Sequence, residues 1–244
     1  SKRQAEASNA RGLRLIRSSS ASLPPAVFEE LNAVFGCPVI EAYGMTEAAH
    51  QMTSNPLGGK GQKAGFVGIA TSPEVCIMDQ EGNQLSGEAE GEVCIRGDNV
   101  TPGYENNPAA NESSFTNGWF RTGDQGYFDG DGYLKITGRL KEIINRGGEK
   151  VSPLEVDNVL MDQPDIQQVV TFAVADRMLG EEIGAAVVLV DGAQMDAGGL
   201  RDYAEQHLAK FKIPKHVVFL EEIPKGATGK LQRIGLAKKL GLED

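Results

Sequence analysis

The stretch EAYGMTEAAH, residues 41–50, carries an apolar strand (PVIEAY, 38–43) into a glycine, then sets Thr46, Glu47 and His50 close to an aromatic ring. Open α/β sheets bind ligands just outside the carboxyl ends of their strands. Tyr43 offers a flat face for stacking, and Gly44 lets a backbone approach closely. Thr46 adds a hydroxyl and Glu47 a carboxylate. That inventory suits a nucleotide with a metal ion, and by itself it equally suits an ordinary strand end. The surrounding chain decides between them.

Upstream, RLIRSSS (14–20) reads as a strand running into a serine triplet. Pro24 and Pro25 then open a helix, since a helix's first turn loses no bond to a missing N–H. Val27, Leu31, Val34 and Phe35 form its apolar face, and Gly36 ends it before PVIEAY returns as a strand. Residues 1–60 are therefore an α/β segment. Between 65 and 138 the texture changes to short β-rich runs (EVCIMD, GEVCIRG, YLKITG) separated by turns such as DQEGN and DGDGY. Such spacing predicts hairpins in a β-rich, barrel-like subdomain. A boundary falls at GRLKE (138–142). Beyond it, SPLE (152–155) predicts a helix with Ser152 as N-cap, Pro153 at the first position and Glu155 closing a capping box. Strands VVTFAVAD and AAVVLV follow. A helix presenting Leu200, Tyr203, Ala204, Leu208 and Phe211 comes next, then VVFL and a closing basic helix around LQRIGLAKKL. The fold class is α/β plus α+β, with the α/β and β-rich segments together over 1–138 and a compact α+β domain over 139–244.

The bulk numbers set limits. A chain of 244 residues with 40% hydrophobic and 24% charged residues is long enough for real cores. A net charge of −10 excludes a general nucleic-acid binder, which neutralises phosphates with Lys and Arg. An anionic ligand needs locally placed cations instead. Cys37, Cys76 and Cys94 show neither CxxC nor zinc-site spacing and read as small core residues of a reducing compartment. No run is apolar and long enough to span a membrane, and a cytoplasmic location is expected.

Three further motifs carry chemistry. WFRTGD (119–124) brings Asp124 to a tight turn, where a carboxylate can accept hydrogen bonds from both hydroxyls of a ribose. A lone TGD is also a common turn former. RLKEIINRGGEKVSP (139–153) sets basic residues and a Gly147–Gly148 pair between a strand end and a helix, so that backbone N–H groups can face a ligand. Without a ligand it is only a basic hairpin tip. PKGATGKLQR (224–233) puts Lys230 behind a Gly-flanked turn, where an ammonium can meet negative charge developing in a cleft. Its spacing is not that of a phosphate loop, since Leu231 stands where a hydroxyl is required. His50, His207 and His216 form no nucleophile triad with a Ser/Asp pattern; His207 and His216 read as structural, and His50 shares the strand end with Glu47.

In this order YGMTE, GEVCIRG, GYENNP, WFRTGD, GRLKEIINRGGEKVSP and PKGATGK resemble the adenylate-forming enzymes: acyl-CoA synthetases, peptide-synthetase adenylation domains and beetle luciferases. The likeness covers nearly the whole chain. It implies a carboxylate attacking the α-phosphate of ATP to give acyl-adenylate and pyrophosphate, followed by coenzyme A thiol displacing AMP. It also implies roles. Tyr43 stacks on adenine next to Gly44, Thr46 binds the α-phosphate and Glu47 ligates Mg²⁺. Ser19, Ser20 and Ala21 line the adenine and acyl pocket, Asp124 with Arg139 holds the ribose, and Lys230 neutralises charge during adenylation. Lys141 is the hinge on which the small domain swings, bringing Gly147, Gly148, Glu149 and Lys150 to coenzyme A.

The family's Ser/Thr/Gly-rich phosphate loop is not found among these residues. The expectation is therefore the C-terminal half of a synthetase, partnered by a missing N-terminal part of the large domain and inactive or weakly active alone. SSSASL with EAYGMTEAAHQMTSNPL resembles oxalate–CoA ligases more than coumarate ligases, so a short polar acid, oxalate first, is expected at Ser19 and His50. A buried second carboxylate needs such donors, because an unpaired buried charge costs several kcal/mol. A luciferase-type monooxygenase and a non-catalytic nucleotide- or partner-binding module are the alternatives; oligomeric state is left open.

Overall fold

A computed structural model describes residues 12–58, 61–226, 229 and 231–243. The chain divides into two compact units, Ser1–Thr137 and Gly138–Asp244.

In the first unit β1 (Ile16–Ser18) lies parallel to β2 (Val39–Tyr43), joined by α1 (Pro25–Phe35). Parallel neighbours need such a crossover, and a helix is the usual one. Pro25 sits in the first turn; Gly36, at φ 61°, closes the helix by donating its N–H to the Asn32 carbonyl at 3.0 Å. The buried face is turned from the expected one. Phe28 is 1% exposed, whereas Val27, Leu31, Val34 and Phe35 are only half-buried. A large ring at Phe28 fills the inner position of a stripe completed by Leu31 and Phe35 at i+3 and i+7. Strand β2 is buried from Val39 to Ala42, and β3 (Thr53–Ser54) and β4 (Ile69–Ala70) extend the sheet in the order β1-β2-β3-β4.

The β-rich segment contains β5 (Glu74–Met78), β6 (Gln84–Leu85), β7 (Gly91–Arg96), the short α2 (Pro108–Ser114), β8 (Phe115–Thr116), β9 (Trp119–Phe128) and β10 (Leu134–Arg139). They form one sheet, β10-β9-β7-β5-β6, with β8 on β9. Its turns use the aspartates that the sequence offers. Asp79 accepts from the backbone and side-chain nitrogens of Asn83 (2.8 and 2.9 Å), and Asp129 from the N–H groups of Asp131 and Tyr133 (3.0 and 2.8 Å). Ala48, Met52, Ile95 and Phe120 make a buried cluster against which Tyr43 and Met45 pack. Burying each large side chain contributes roughly 1.5–3 kcal/mol, which anchors the 43–52 segment from beneath.

The second unit contains β11 (Ile144–Arg146), β12 (Glu149–Val151), α3 (Pro153–Met161), β13 (Ile166–Asp176), β14 (Gly180–Leu189), α4 (Ala197–His207), β15 (His216–Phe219) and α5 (Leu236–Lys239). The sheet runs β12-β11-β14-β13, with β15 parallel to β14. One core gathers Val156, Leu160, Ile183, Leu200 and Ala204; another gathers Phe172, Val174, Ile223 and Leu236. Ser152 caps α3 by accepting the Glu155 N–H at 3.4 Å, and the Glu155 carboxylate takes the Lys212 ammonium on both oxygens (2.6 and 2.7 Å). The expected closing helix is corrected: only Leu236–Lys239 is helical, and Leu231 bridges Lys225 in extended form. Gly235 at φ 74° bars an earlier start. Arg233 is also held out of a helix, bonding the Thr171 carbonyl (2.9 Å), Asp157 (2.6 Å) and Glu142 (3.1 Å).

Candidate active site

Asp124 is not at a turn, as its sequence suggests, but inside β9. Between the register pairs Glu92↔Gln125 and Cys94↔Arg121, β7 spends only Val93, whereas β9 spends Thr122, Gly123 and Asp124. Gly123 supplies the positive φ (75°) that this bulge needs. The surplus polar groups are satisfied locally. Thr122 donates its hydroxyl to the Val93 carbonyl (2.7 Å) and accepts the Asp124 N–H (3.1 Å), and Gly123 donates to Glu92 (2.9 Å). The bulge re-aims Asp124, only 6% exposed, so that Oδ2 accepts the Tyr43 hydroxyl at 2.6 Å. Two motifs 81 residues apart thus meet through one short hydrogen bond, which fixes the tyrosine ring by its edge.

Gly44 admits a close backbone neighbour. A Cβ there would lie 1.4 Å from the His50 carbonyl oxygen, so the close approach is that of the chain's own turn. A 3-10 turn over Thr46–Ala48 follows, closed by Ala49 N–H to the Thr46 carbonyl (3.2 Å) and His50 N–H to the Met45 carbonyl (3.0 Å). Ala49 and His50 have φ of 49° and 87°, and Ser20 of 75°. Positive φ costs a non-glycine residue of order 1–3 kcal/mol. Among the described residues the other two are asparagines, which tolerate it. The three costly positions all fall in the loops expected to hold ligand. Thr46 and His50 are exposed, as are Ser20 and Ala21; Ser19 is half-buried.

Two residues of the site were missed in the sequence. Glu41 interrupts an otherwise apolar strand and is 4% exposed. One oxygen accepts the Leu23 N–H at 3.2 Å, while Oε2 has no partner, and neither does the buried hydroxyl of Ser19. Burial pushes the Glu41 carboxyl up to about 7, against a smaller opposing pull from the Leu23 N–H. The signal was the carboxylate within VIEAY. The other is Tyr104, in GYENNP, whose hydroxyl donates to Glu47 Oε1 at 2.9 Å.

No three His, Cys, Asp or Glu side chains gather into a metal cage among the described residues. A single half-buried carboxylate, Glu47, fits Mg²⁺, which takes most of its oxygens from phosphate and water rather than from protein.

In the second unit Arg139 ends β10 and Lys141 lies in the 3-10 turn Leu140–Glu142. Gly147 and Gly148 form the tip between β11 and β12, with φ of 59° and 96°. The Gly147 N–H bonds the Leu179 carbonyl (2.8 Å), and Glu149 and Lys150 are exposed. Lys230 lies outside the described residues.

An α/β strand end joined to a β-rich sheet, followed by a compact α+β unit, is an architecture shared with enzymes that activate carboxylates on a nucleotide. The sequence profile of AMP-binding enzymes matches residues 1–105, and that of the AMP-binding enzyme C-terminal domain matches 155–230. The chain belongs to the AMP-binding enzyme family. It is 55% identical to the protein named Probable CoA ligase CCL9 of Humulus lupulus, over 91% of this chain and 42% of that one. With the Oxalate–CoA ligase of Arabidopsis thaliana it shares 51% identity, over 91% and 43%. Among solved structures, ATP-bound MatB from Rhodopseudomonas palustris superposes with a TM-score of 0.87 at 34% identity, covering 93% of this chain and 45% of that one. The chain thus spans less than half the length of the curated relatives it matches.

Proposed function

We propose that this chain carries the strand-end nucleotide site and the small domain of an AMP-forming acid–CoA ligase acting on a short polar acid, oxalate first. The observation that carries the reading is the Tyr43–Asp124 hydrogen bond, which joins two separately coded motifs at one strand end. The name of the 51% identical Arabidopsis relative supports the choice of acid.

Tyr43, pinned at its hydroxyl, presents a ring for adenine to stack on. Asp124 offers its carboxylate to the ribose hydroxyls, aided by Arg139, and Thr46 offers its hydroxyl to the α-phosphate. A substrate carboxylate oxygen attacks the α-phosphorus; the bond to the bridging oxygen breaks and pyrophosphate leaves with its electron pair. Lys230 neutralises the charge that gathers between carboxylate and phosphate. Mg²⁺, held by Glu47, would supply Lewis-acid neutralisation of the phosphate oxygens. In the second step the thiolate of coenzyme A attacks the acyl carbon and AMP departs. The Gly147–Lys150 tip serves that step, and Lys141 is the hinge that exchanges it for Lys230; one cleft cannot hold both an aimed ammonium and an incoming thiol. Ser19 and His50 face the acid's second carboxylate.

The test is AMP formation from ATP, Mg²⁺ and coenzyme A with oxalate, malonate, coumarate or a fatty acid. It is run on the 244-residue chain and on any longer form of the protein that contains it. Oxalate should be fastest, and His50→Leu should lower oxalate use relative to monocarboxylates. Equal rates across the panel would overturn the acid, and no AMP from any acid in any form would overturn the reaction. Calorimetry of AMP binding tests the site itself. Asp124→Asn weakens charge-assisted bonds of about 1.5–3 kcal/mol, so Kd should rise roughly 10- to 100-fold.

A further inference from the structure

GYENNP is a motif of the ordered set to which neither its residue types nor the proposed reaction gives a role. Its tyrosine reaches across 57 residues to Glu47, donating to Oε1 at 2.9 Å. Tyr104 is itself held on two sides. Its backbone N–H and carbonyl bond the two ends of the Asn111 amide (2.7 and 3.0 Å), and its ring meets Phe120 edge-on, centroids 6.4 Å apart. The same loop grips the 46–48 turn from the backbone side. Thr101 donates its N–H to the Glu47 carbonyl (2.7 Å), and the Asn99 amide donates to the Ala48 carbonyl (2.8 Å). A tyrosine that merely covers Phe120 would need no bond to Glu47.

A free glutamate rotates about its last torsion and offers a cation either oxygen or both. A hydroxyl fixed on Oε1 removes that freedom and leaves Oε2 as the unengaged oxygen. We infer that Tyr104 is a positioning residue: its hydroxyl holds Glu47 so that the carboxylate meets a nucleotide-bound divalent cation through one oxygen in one orientation. This rests on the reading of Glu47 as the metal carboxylate. Partners that orient a ligating carboxylate are typically worth 10- to 100-fold in metal affinity or activity.

The experiment compares wild type, Tyr104→Phe and Glu47→Gln in the longest form of the protein that carries this chain. Mn²⁺ is the probe. Its binding with ATP is followed by water-proton relaxation, and ATP binding without metal by calorimetry in EDTA. Phenylalanine keeps the ring on Phe120 and removes only the O–H. Tyr104→Phe should weaken Mn²⁺ binding in the ternary complex 10- to 100-fold while leaving metal-free ATP binding and Tm unchanged. A loss shared equally by metal-free ATP binding would make Tyr104 merely structural and overturn the inference. So would a silent Tyr104→Phe beside a Glu47→Gln that abolishes metal dependence, and the reading of Glu47 would then stand. A Glu47→Gln that keeps metal dependence, or a wild type indifferent to metal, would overturn that reading and the inference together.

Discussion

Glu41 and Glu182 are both buried glutamates within strands, 4% and 1% exposed, and the two units treat them in opposite ways. Glu182 receives the Arg146 guanidinium on both oxygens (2.5 and 3.0 Å) and the Ile183 N–H (3.0 Å). Burial is the largest single influence and raises its carboxyl, but Arg146, the Ile183 N–H and Lys215 together outweigh it and hold it below the ordinary carboxylate range. Glu41 has one backbone N–H and an oxygen without a partner, and burial wins. The first is a permanent charge that fixes Arg146, the residue before the Gly147 tip. The second is a carboxyl that exchanges its proton close to neutrality, on the same strand as Tyr43. A buried acid is therefore no single kind of object; its partners decide whether it anchors or titrates.

The contrast breaks most visibly at Arg146. Arg146→Met strands a buried charge, which usually costs about 3–5 kcal/mol. Lys215, 3.7 Å from Glu182, should hold the loss toward the lower end. Native-state hydrogen exchange of the β13–β14 amides measures it, and adding Glu182→Leu should restore most of the protection. A cost below about 1 kcal/mol would mean that Glu182 is no better anchored than an exposed pair.

Glu41 sharpens the contrast through pH. Its folded value of about 7 stands above the ordinary 4.5, so folding takes up a proton. Stability should fall as pH rises from about 4.5 to about 7 and level off above, by an amount on the order of 3 kcal/mol. Glu41→Gln keeps an acceptor for Leu23 and should flatten that slope, leaving the variant relatively more stable at pH 8. Chemical unfolding of wild type and variant across pH 4–8 gives both curves, and parallel curves would mean that the carboxyl stays ionised.

These two carboxylates also mark how far the sequence could be read. Local signals carried over faithfully where the physics is local: Gly36 ending α1, Ser152 capping α3, the aspartates of DQEGN and DGDGY closing their turns. Asp124 was legible as a polar residue beside a glycine but not as a bulge, because a bulge is a mismatch between β7 and β9 and neither strand encodes it alone. Glu41 passed unremarked inside a strand read as apolar, because burial is set by strands and a helix elsewhere in the chain. Tyr104 was visible as part of a motif, whereas its partner lies 57 residues away. The over-extended final helix came from reading LQRIGLAKKL by composition; the bonds of Arg233 to Asp157, Thr171 and Glu142 outweigh that propensity.

The smallest expected effect lies at the tip that Arg146 supports. Gly147 has φ 59°, and an added Cβ would sit 3.1 Å from Leu179 Cδ2, the end of a flexible side chain. Gly147→Ala therefore meets mainly the backbone penalty of the left-handed region, roughly 1–2 kcal/mol. That should lower Tm by only a few degrees in a chain of this length. The functional loss should be confined to one half of the proposed reaction, since a methyl group narrows the tip where coenzyme A is expected while the strand end at Tyr43 is untouched. Acyl-adenylate formation, followed by pyrophosphate release, should proceed at the wild-type rate. Transfer to coenzyme A should slow, with a raised KM for the thiol. An equal loss in both halves would mean that the tip acts on the fold of its unit rather than on the second substrate.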